Sequence, residues 1–274
     1  MSRRVSALLA TLIEGGLRPL SPRQRARVRA RLIERLRAAG MTRIETRRGA
    51  LLLDAAAGAG AASAIARFFQ DEPETLAWIE DLPPGAVLWD VGANIGLYAC
   101  YAALDPRVRV VAFEPDPVNF AVLHRHILLN RLEARFIPLA CALAAEDAIA
   151  PLHARDREAG AAGRALGAPR DHGAAFQPAA TFAVAAFRGA SLVAALALPP
   201  PTHLKLDVDG TEADILAGLG PLLAGLESAL IEIEGENAAA PGRIEGLLEA
   251  AGLVSFPLPP SPASGRNRLY RRRG

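Results

Sequence analysis

Apolar and polar positions along the chain switch repeatedly between two periods. Val87-Leu88-Trp89-Asp90-Val91 is a nearly continuous apolar run of strand length, and it leads through Gly92 and Gly96 into the helix-compatible run Leu97–Leu104. Val108–Glu114 repeats the strand pattern and again ends in an acid; Asp116-Pro117 then caps a helix reaching about Leu129. Phe136–Leu143 reads as a third strand and Thr181–Phe187 as a further one. From His203 onward the side chains alternate. Leu204, Leu206 and Val208 share one face, and His203, Lys205, Asp207 and Asp209 share the other. Thr211–Leu216 begins a helix, Ser228–Glu234 is a strand, residues 241–251 form a helix, and Leu253–Phe256 is followed by a last edge strand at Asn267–Arg271. Those final two strands have no helix between them, so they pair as an antiparallel hairpin at one edge. Together the elements predict an α/β fold: a doubly wound, mostly parallel seven-stranded sheet with an antiparallel last strand.

The N-terminal quarter has a different texture. Residues 1–40 read as two helices, the second opened by Ser21-Pro22 and stopped by Gly40. Val28, Leu32 and Leu36 recur at a spacing of four and predict a stripe packed on the body. Residues 43–54 predict a hairpin turning at Arg48-Gly49, Ala55–Ala62 a loop, and Asp71 an N-cap with Glu74 as its capping-box partner. These features divide the chain into an extension, residues 1–70, and a main domain, residues 71–274. Residues 144–180 are rich in Ala, Gly, His and Arg. They predict only a short strand near Pro151–His153 and a mobile loop from Arg155 to Gln177. Ser191–Leu198 reads as a short helix.

Composition narrows this further. Of the 274 residues 51% are hydrophobic, enough for a sizeable core. The net charge of +2 does not mark a polyanion binder, and the basic residues crowded into 18–48 and the C-terminal tail read as a solvated helix face, so no nucleic-acid partner is expected. Cys100 and Cys141 show no metal spacing and fit a reducing cytoplasm, with no metal centre expected. The apolar run Val5–Ile13 after Arg3-Arg4 is cut short by Glu14, so neither a secretory signal nor a transmembrane segment is expected. Lys205 is the only lysine among many arginines. Either it survives by chance, or a compact amine that can shift its pKa is needed there, which a guanidinium cannot replace.

The chemistry follows from order and spacing. Glu114 stands about 20 residues beyond the Gly92–Gly96 loop, where an acid can accept ribose hydroxyls, so strand, glycine loop, helix and acid read as a nucleoside site. Asp90-Val-Gly-Ala-Asn-Ile-Gly-Leu-Tyr98, Phe113-Glu-Pro-Asp-Pro117, Lys205-Leu-Asp-Val-Asp-Gly-Thr-Glu212 and Ile231-Glu-Ile-Glu234, in this order, resemble the FkbM-type S-adenosylmethionine-dependent methyltransferases; the likeness runs from about Glu72 to Glu236. It implies a class I methyltransferase sheet, S-adenosylmethionine as cofactor, and O-methylation of a sugar, glycan or natural-product hydroxyl. Three departures stand out: Asp209 where the family usually has Glu, Thr211 where it often has Ala, and Leu192-Val193 where it usually has a Leu-Asp pair opening a helix.

The resemblance also implies roles. Gly92 and Gly96 let the loop approach the methionine part of the cofactor, Asp90 stands near its ammonium or orders the loop, and Asn94 turns the chain and hydrogen-bonds the cofactor. Glu114, followed by Pro115, takes the ribose, and Cys141 and Ala142 flank the adenine. Asp207 belongs beside the transferred methyl, on the cofactor amine or on the acceptor. Lys205 or an acid removes the hydroxyl proton, with Asp209, Glu212 and Glu234 as alternative bases; a plain Lys205–Asp207 ion pair supporting the strand is the competing reading. His203 is expected to be structural. A nucleoside-binding interaction module without turnover, an N- or C-methyltransferase, and a dinucleotide dehydrogenase are the alternatives, the last disfavoured by the antiparallel tail.

Overall fold

Seven strands form the central sheet of the structure, a computed structural model that describes residues 2–171, 174–233, 241–258 and 266–273. They are β1 (Val87–Val91), β2 (Arg109–Phe113), β3 (Phe136–Leu139), β4 (His203–Leu206), β5 (Ser228–Glu232), β6 (Leu253–Phe256) and β7 (Asn267–Arg272). Their spatial order is β3-β2-β1-β4-β5-β7-β6. The strands β1 to β5 pair in parallel, and β7 runs antiparallel to both β5 and β6. This is the doubly wound sheet expected from the sequence, with one correction: the last strand is not at the edge. Leu269 and Tyr270 of β7 are buried, so that strand takes the inner place between two partners, and β6, with Ser255 and Phe256 exposed, becomes the edge. Sequence order reverses between β1 and β4, which opens a crevice at the carboxyl ends of the strands.

Side-chain alternation assigns the two faces. Leu88, Val110, Ala112 and Leu230 join one apolar cluster. Trp89, Val91, Val111, Phe113, Leu204, Leu206, Ala229 and Ile231 join the other. Asp90, Lys205 and Glu232 therefore fall by parity on the first face, and the register sets Lys205 directly opposite Asp90.

The chain divides into two compact units, Met1–Met41 and Thr42–Gly274. The hairpin of Met41–Thr46 and Gly49–Asp54 thus belongs almost wholly to the second unit. Leu51 and Leu53 are fully buried there, and Asn130 bonds both the N–H and the carbonyl of Leu52. His126 Nε2 accepts the Asp54 N–H at 2.9 Å while Nδ1 meets the Ile95 carbonyl at 2.7 Å, an arrangement that suits a neutral ring with its proton on Nδ1. In the first unit, helices Ser2–Leu17 and Pro22–Ala39 are joined at Ser21, which forms a capping box with Gln24, and Arg29 pairs with Glu14. The expected packed stripe is not formed as a core: no described residue of Pro22–Ala39 is buried. Among the described residues no helix is long and apolar enough to cross a membrane.

Several local expectations change. Ala55–Ala62 is not a loop but a short turn and the helix Ala59–Ala66, anchored by Ala61 and Ile65. Asp71 ends the helix Phe68–Asp71 and pairs with Arg67, leaving Glu72 as the N-cap of Pro73–Glu80. The run Phe136–Leu143 breaks after Leu139, and Ala142–Leu143 enters a second sheet with Ala180–Phe187, Ala148–Ala154 and Arg164–Leu166. The stretch expected as a mobile loop from Arg155 thus contributes a strand. The helix that lacks an acid at position 193 is Gly189–Leu196. Its acid comes from Asp147, which accepts the Arg188 N–H at 2.7 Å.

Candidate active site

The loop after β1 turns through three residues with left-handed backbone, Gly92 (φ 81°), Asn94 (φ 52°) and Gly96 (φ 79°). A Cβ on Gly92 would lie 1.9 Å from the Asp207 carbonyl oxygen, so this glycine lets the loop pass against the end of β4. A Cβ on Gly96 would strike Leu123 at 2.1 Å. Gly96 therefore starts helix Leu97–Ala103 and admits helix Pro117–Leu129 beside it; it does not line the crevice. Glu114, at the end of β2, ties this region together. Its Oε2 accepts the Asn94 N–H at 2.7 Å and its Oε1 the Asp116 N–H at 2.8 Å. Burial pushes its pKa up to about 7 against the pull of those two N–H groups.

A cavity of about 580 Å³ occupies the crevice. Asp90, Gly92, Asn94, Glu114 and Pro115 line one side, and Lys205, Asp207 and Asp209 the other. An adjoining apolar recess of about 40 Å³ is bounded by Phe113, Pro115, Cys141, Ala142, Leu143 and Ile215. Burial raises the Cys141 thiol to about 11, so it is a packing group. Over the cavity runs the segment 160–164. The Gly160 N–H bonds Asn119 Oδ1 at 2.9 Å, Asn94 Nδ2 reaches the Ala161 carbonyl, and Arg164 pairs with buried Asp116 while its own N–H bonds Asp209.

The charges concentrate at the β4 end. Lys205 Nζ lies 2.6 Å from Asp207 Oδ2, 4.0 Å from Glu72 Oε2 and 5.2 Å from the centre of the Tyr98 ring. Burial works against the charge on Lys205, but Asp207, Glu72 and Asp90 together outweigh it and lift its pKa well above the usual lysine value. It is a fixed cation, with no proton vacancy to offer a substrate. Burial pushes Asp207 up, yet Lys205 and a hydrogen bond from Glu232 bring it down to about 2. Burial and the Asp207 charge raise Glu232 to about 10. Burial lifts Asp90 to about 6, and its Oδ1 is enclosed without a hydrogen-bond partner among the described residues.

The remaining sequence candidates separate. Glu212 is buried at the start of helix Glu212–Leu219, where its Oε1 accepts the Gly210 N–H at 3.2 Å, and it does not line the cavity. Glu234 lies outside the described residues. His203 is buried against Thr202 and held neutral, its pKa lowered to about 4 by burial and by Arg271, in keeping with a structural place. Glu72, Tyr98, Arg164 and Glu232 line the cavity without having been singled out. Only Glu232 carried a usable signal, since it shares a face with Asp207 on an adjacent strand.

The donor set fits S-adenosylmethionine. That molecule presents an ammonium, a sulfonium and ribose hydroxyls, and the cavity offers a buried carboxylate at Asp90 with one oxygen unpartnered, Glu114 with lone pairs beyond its two N–H bonds, and a small adjoining apolar recess.

The model of the methyltransferase FkbM domain matches residues 90–253. Hexuronic acid methyltransferase AglP of Haloferax volcanii is 28% identical over 155 residues, which cover 57% of this chain and 59% of that protein. The 31-O-demethyl-FK506 methyltransferase FkbM of Streptomyces tacrolimicus is 48% identical over 56 residues, 20% of this chain and 22% of that protein. The chain thus spans about three fifths of the first relative and about a fifth of the second. Among solved structures, Aeropyrum pernix fibrillarin with bound S-adenosyl-L-methionine aligns over 84% of this chain and 81% of its own, at 13% identity and a TM-score of 0.46. The chain belongs to the FkbM methyltransferase family.

Proposed function

We propose that the chain methylates a hydroxyl oxygen on a sugar, glycan or natural product. One observation carries this reading: the nucleoside cradle of Asp90, Asn94 and Glu114 and the charged group around Lys205 and Asp207 share a single cavity. S-Adenosylmethionine, when bound, supplies an electrophilic methyl and leaves as a neutral thioether. Asp90 is suited to its ammonium and Glu114 to its ribose, while Cys141 and Ala142 border the apolar recess for the adenine. A hydroxyl is a poor nucleophile at neutral pH, and a base at hydrogen-bond distance helps by about 10²–10⁴-fold. Lys205 is held charged, so it orients the oxygen and the neighbouring carboxylate, and the hydroxyl proton passes to a carboxylate. Glu72, whose pKa burial raises and which lies 4.0 Å from Lys205, is the first choice, while Asp207, held at about 2, orients the hydroxyl.

The chemistry of the mouth supports a small acceptor. Asp71, Glu72, Asp207 and Asp209 border the cavity beside Arg67, Arg164, Lys205 and Arg266, so its mouth presents no net basic field to draw in a phosphate backbone. The two relatives named above are, by name, a hexuronic acid methyltransferase and a 31-O-demethyl-FK506 methyltransferase. The test is transfer of labelled methyl from S-adenosylmethionine into a metabolite extract, with Asp207→Asn as control. Label recovered as a methyl ether in the wild type, and at least about tenfold less in the variant, is the expected result. Label on nitrogen or carbon would replace the reaction class, and tight cofactor binding with no transfer would favour a binding module.

A further inference from the structure

Glu232 ends β5 immediately after Ile231, which pairs in register with Leu206 of β4. The next pair along the two strands is therefore Asp207 and Glu232. They sit side by side on one face of the sheet, at the strand spacing of about 4.8 Å. Both border the cavity, and the register brings their carboxyl groups within hydrogen-bond reach of each other. A hydrogen bond between two carboxyl groups requires a proton, and two carboxylates in contact do not both ionise.

The surrounding charges decide which oxygen keeps that proton. Lys205, whose side chain is 4% exposed, stands 2.6 Å from Asp207 and holds it as the carboxylate. Arg266 faces Glu232 at 3.3 Å and pulls the other way, but its side chain is 50% exposed, so water screens its charge. Glu72, ahead of helix Pro73–Glu80, and Asp90 of β1 face the same Lys205 and add negative charge around the pair. Tyr98 lies across the Lys205 ammonium and contributes no cation.

We infer that Glu232 is a proton-holding positioning residue: at neutral pH it is a neutral carboxylic acid that donates a hydrogen bond to Asp207 and, with Lys205 on the other side, fixes the Asp207 carboxylate at the acceptor end of the cavity. Glu232 is then not a base, although it belongs to the Ile231-Glu-Ile-Glu segment whose other acid was the sequence candidate. Its part in methyl transfer rests on the O-methylation reading above; the position of the proton does not.

A glutamine discriminates the two roles. The Glu232→Gln amide still donates to Asp207 but cannot take a proton, whereas Glu232→Ala removes the donor. Infrared spectra of the ligand-free full chain near pH 7 test the proton directly. The protonated-carboxyl stretch assigned by the difference between wild type and Glu232→Gln is expected to be present, and to fade as the pH is raised toward about 10. In labelled-methyl transfer to the metabolite extract, Glu232→Gln is expected to stay within about threefold of wild type and to lose an alkaline decline in rate, while Glu232→Ala falls about tenfold or more. Absence of the carboxyl band at pH 7, or a Glu232→Gln rate as low as that of Glu232→Ala, would overturn the inference. If the wild type transfers no methyl at all, the O-methylation reading fails, and the infrared experiment still decides the state of Glu232.

Discussion

Gly92 is constrained twice, by a left-handed backbone and by the Asp207 carbonyl lying where a Cβ would go. Gly92→Ala is expected to destabilise the protein by about 2–4 kcal/mol, seen as a lower urea midpoint at unchanged slope. An unchanged midpoint would mean that the loop can leave β4 at little cost. Glu114 has a different kind of constraint. Each of its oxygens already accepts one backbone N–H, so its contribution to a ligand comes from the lone pairs left over. Glu114→Gln puts an NH₂ group against one of those donors, and cofactor affinity measured by calorimetry is expected to fall about tenfold or more. Because Glu114 is raised to about 7 and only the ionised form accepts the hydroxyls well, wild-type affinity should also weaken as the pH drops below neutral. That slope should be missing in the variant. Asp90 and Glu114 were legible in the sequence because both end apolar runs at a diagnostic separation. Glu72 was not, because it sits in the run Asp71-Glu72-Pro73-Glu74 whose acids read as helix-start residues, and only packing turns its carboxylate toward Lys205.

At the scale of elements, the near-continuous apolar runs that identify strands buried on both faces worked for β1 and β2. Over 144–180 the pattern found the strand at Pro151–His153 and failed in the rest, where alanine and glycine give no period to read. The order there comes from contacts far along the chain. Ala159 is buried, a Cβ on Gly160 would meet Ala61 backbone at 2.6 Å, and Arg164 inserts between Asp116 and the carbonyl of Glu158. Arg164 is the anchor of this segment. Arg164→Ala leaves the buried Asp116 carboxylate without its cation and is expected to cost about 3–5 kcal/mol of stability. Faster proteolytic cleavage between 155 and 166 and weaker cofactor binding should accompany it; wild-type cleavage and affinity would show that the segment holds its place without the arginine. The missing acid at position 193 teaches the same lesson. A local motif appeared broken, yet Asp147 supplies the bond from another element.

For the whole molecule, the modest net charge of +2 conceals a set of carboxyl groups raised by burial. Glu114 and Glu212 are each lifted to about 7, so around neutral pH the folded chain binds more protons than the unfolded one. Stability of the ligand-free protein therefore falls as the pH rises through that value. Glu232, raised to about 10, holds its proton in the fold across this range as well, so going from about pH 8 to about pH 6.5 is expected to stabilise the protein by about 3 kcal/mol, read as a higher urea midpoint. His126 and His203 are lowered and act with the opposite sign, mostly below about pH 7. A flat profile over the neutral range would show that these carboxyl groups are already ionised in the fold.

The succession of strands and helices, the glycine loop, the acids at the ends of β1 and β2, and the family were all determined by the sequence alone. Each depends on local period or on a motif of fixed spacing, which neighbouring residues along the chain suffice to display. The tertiary structure alone decided that β7 inserts inside β6, that Lys205 is a fixed cation, that Glu72 and Glu232 share its site, and that 160–164 covers the cavity. Those outcomes depend on burial and on which charges meet across the sheet, and residues 133 positions apart, such as Glu72 and Lys205, carry no mark of each other in the linear chain.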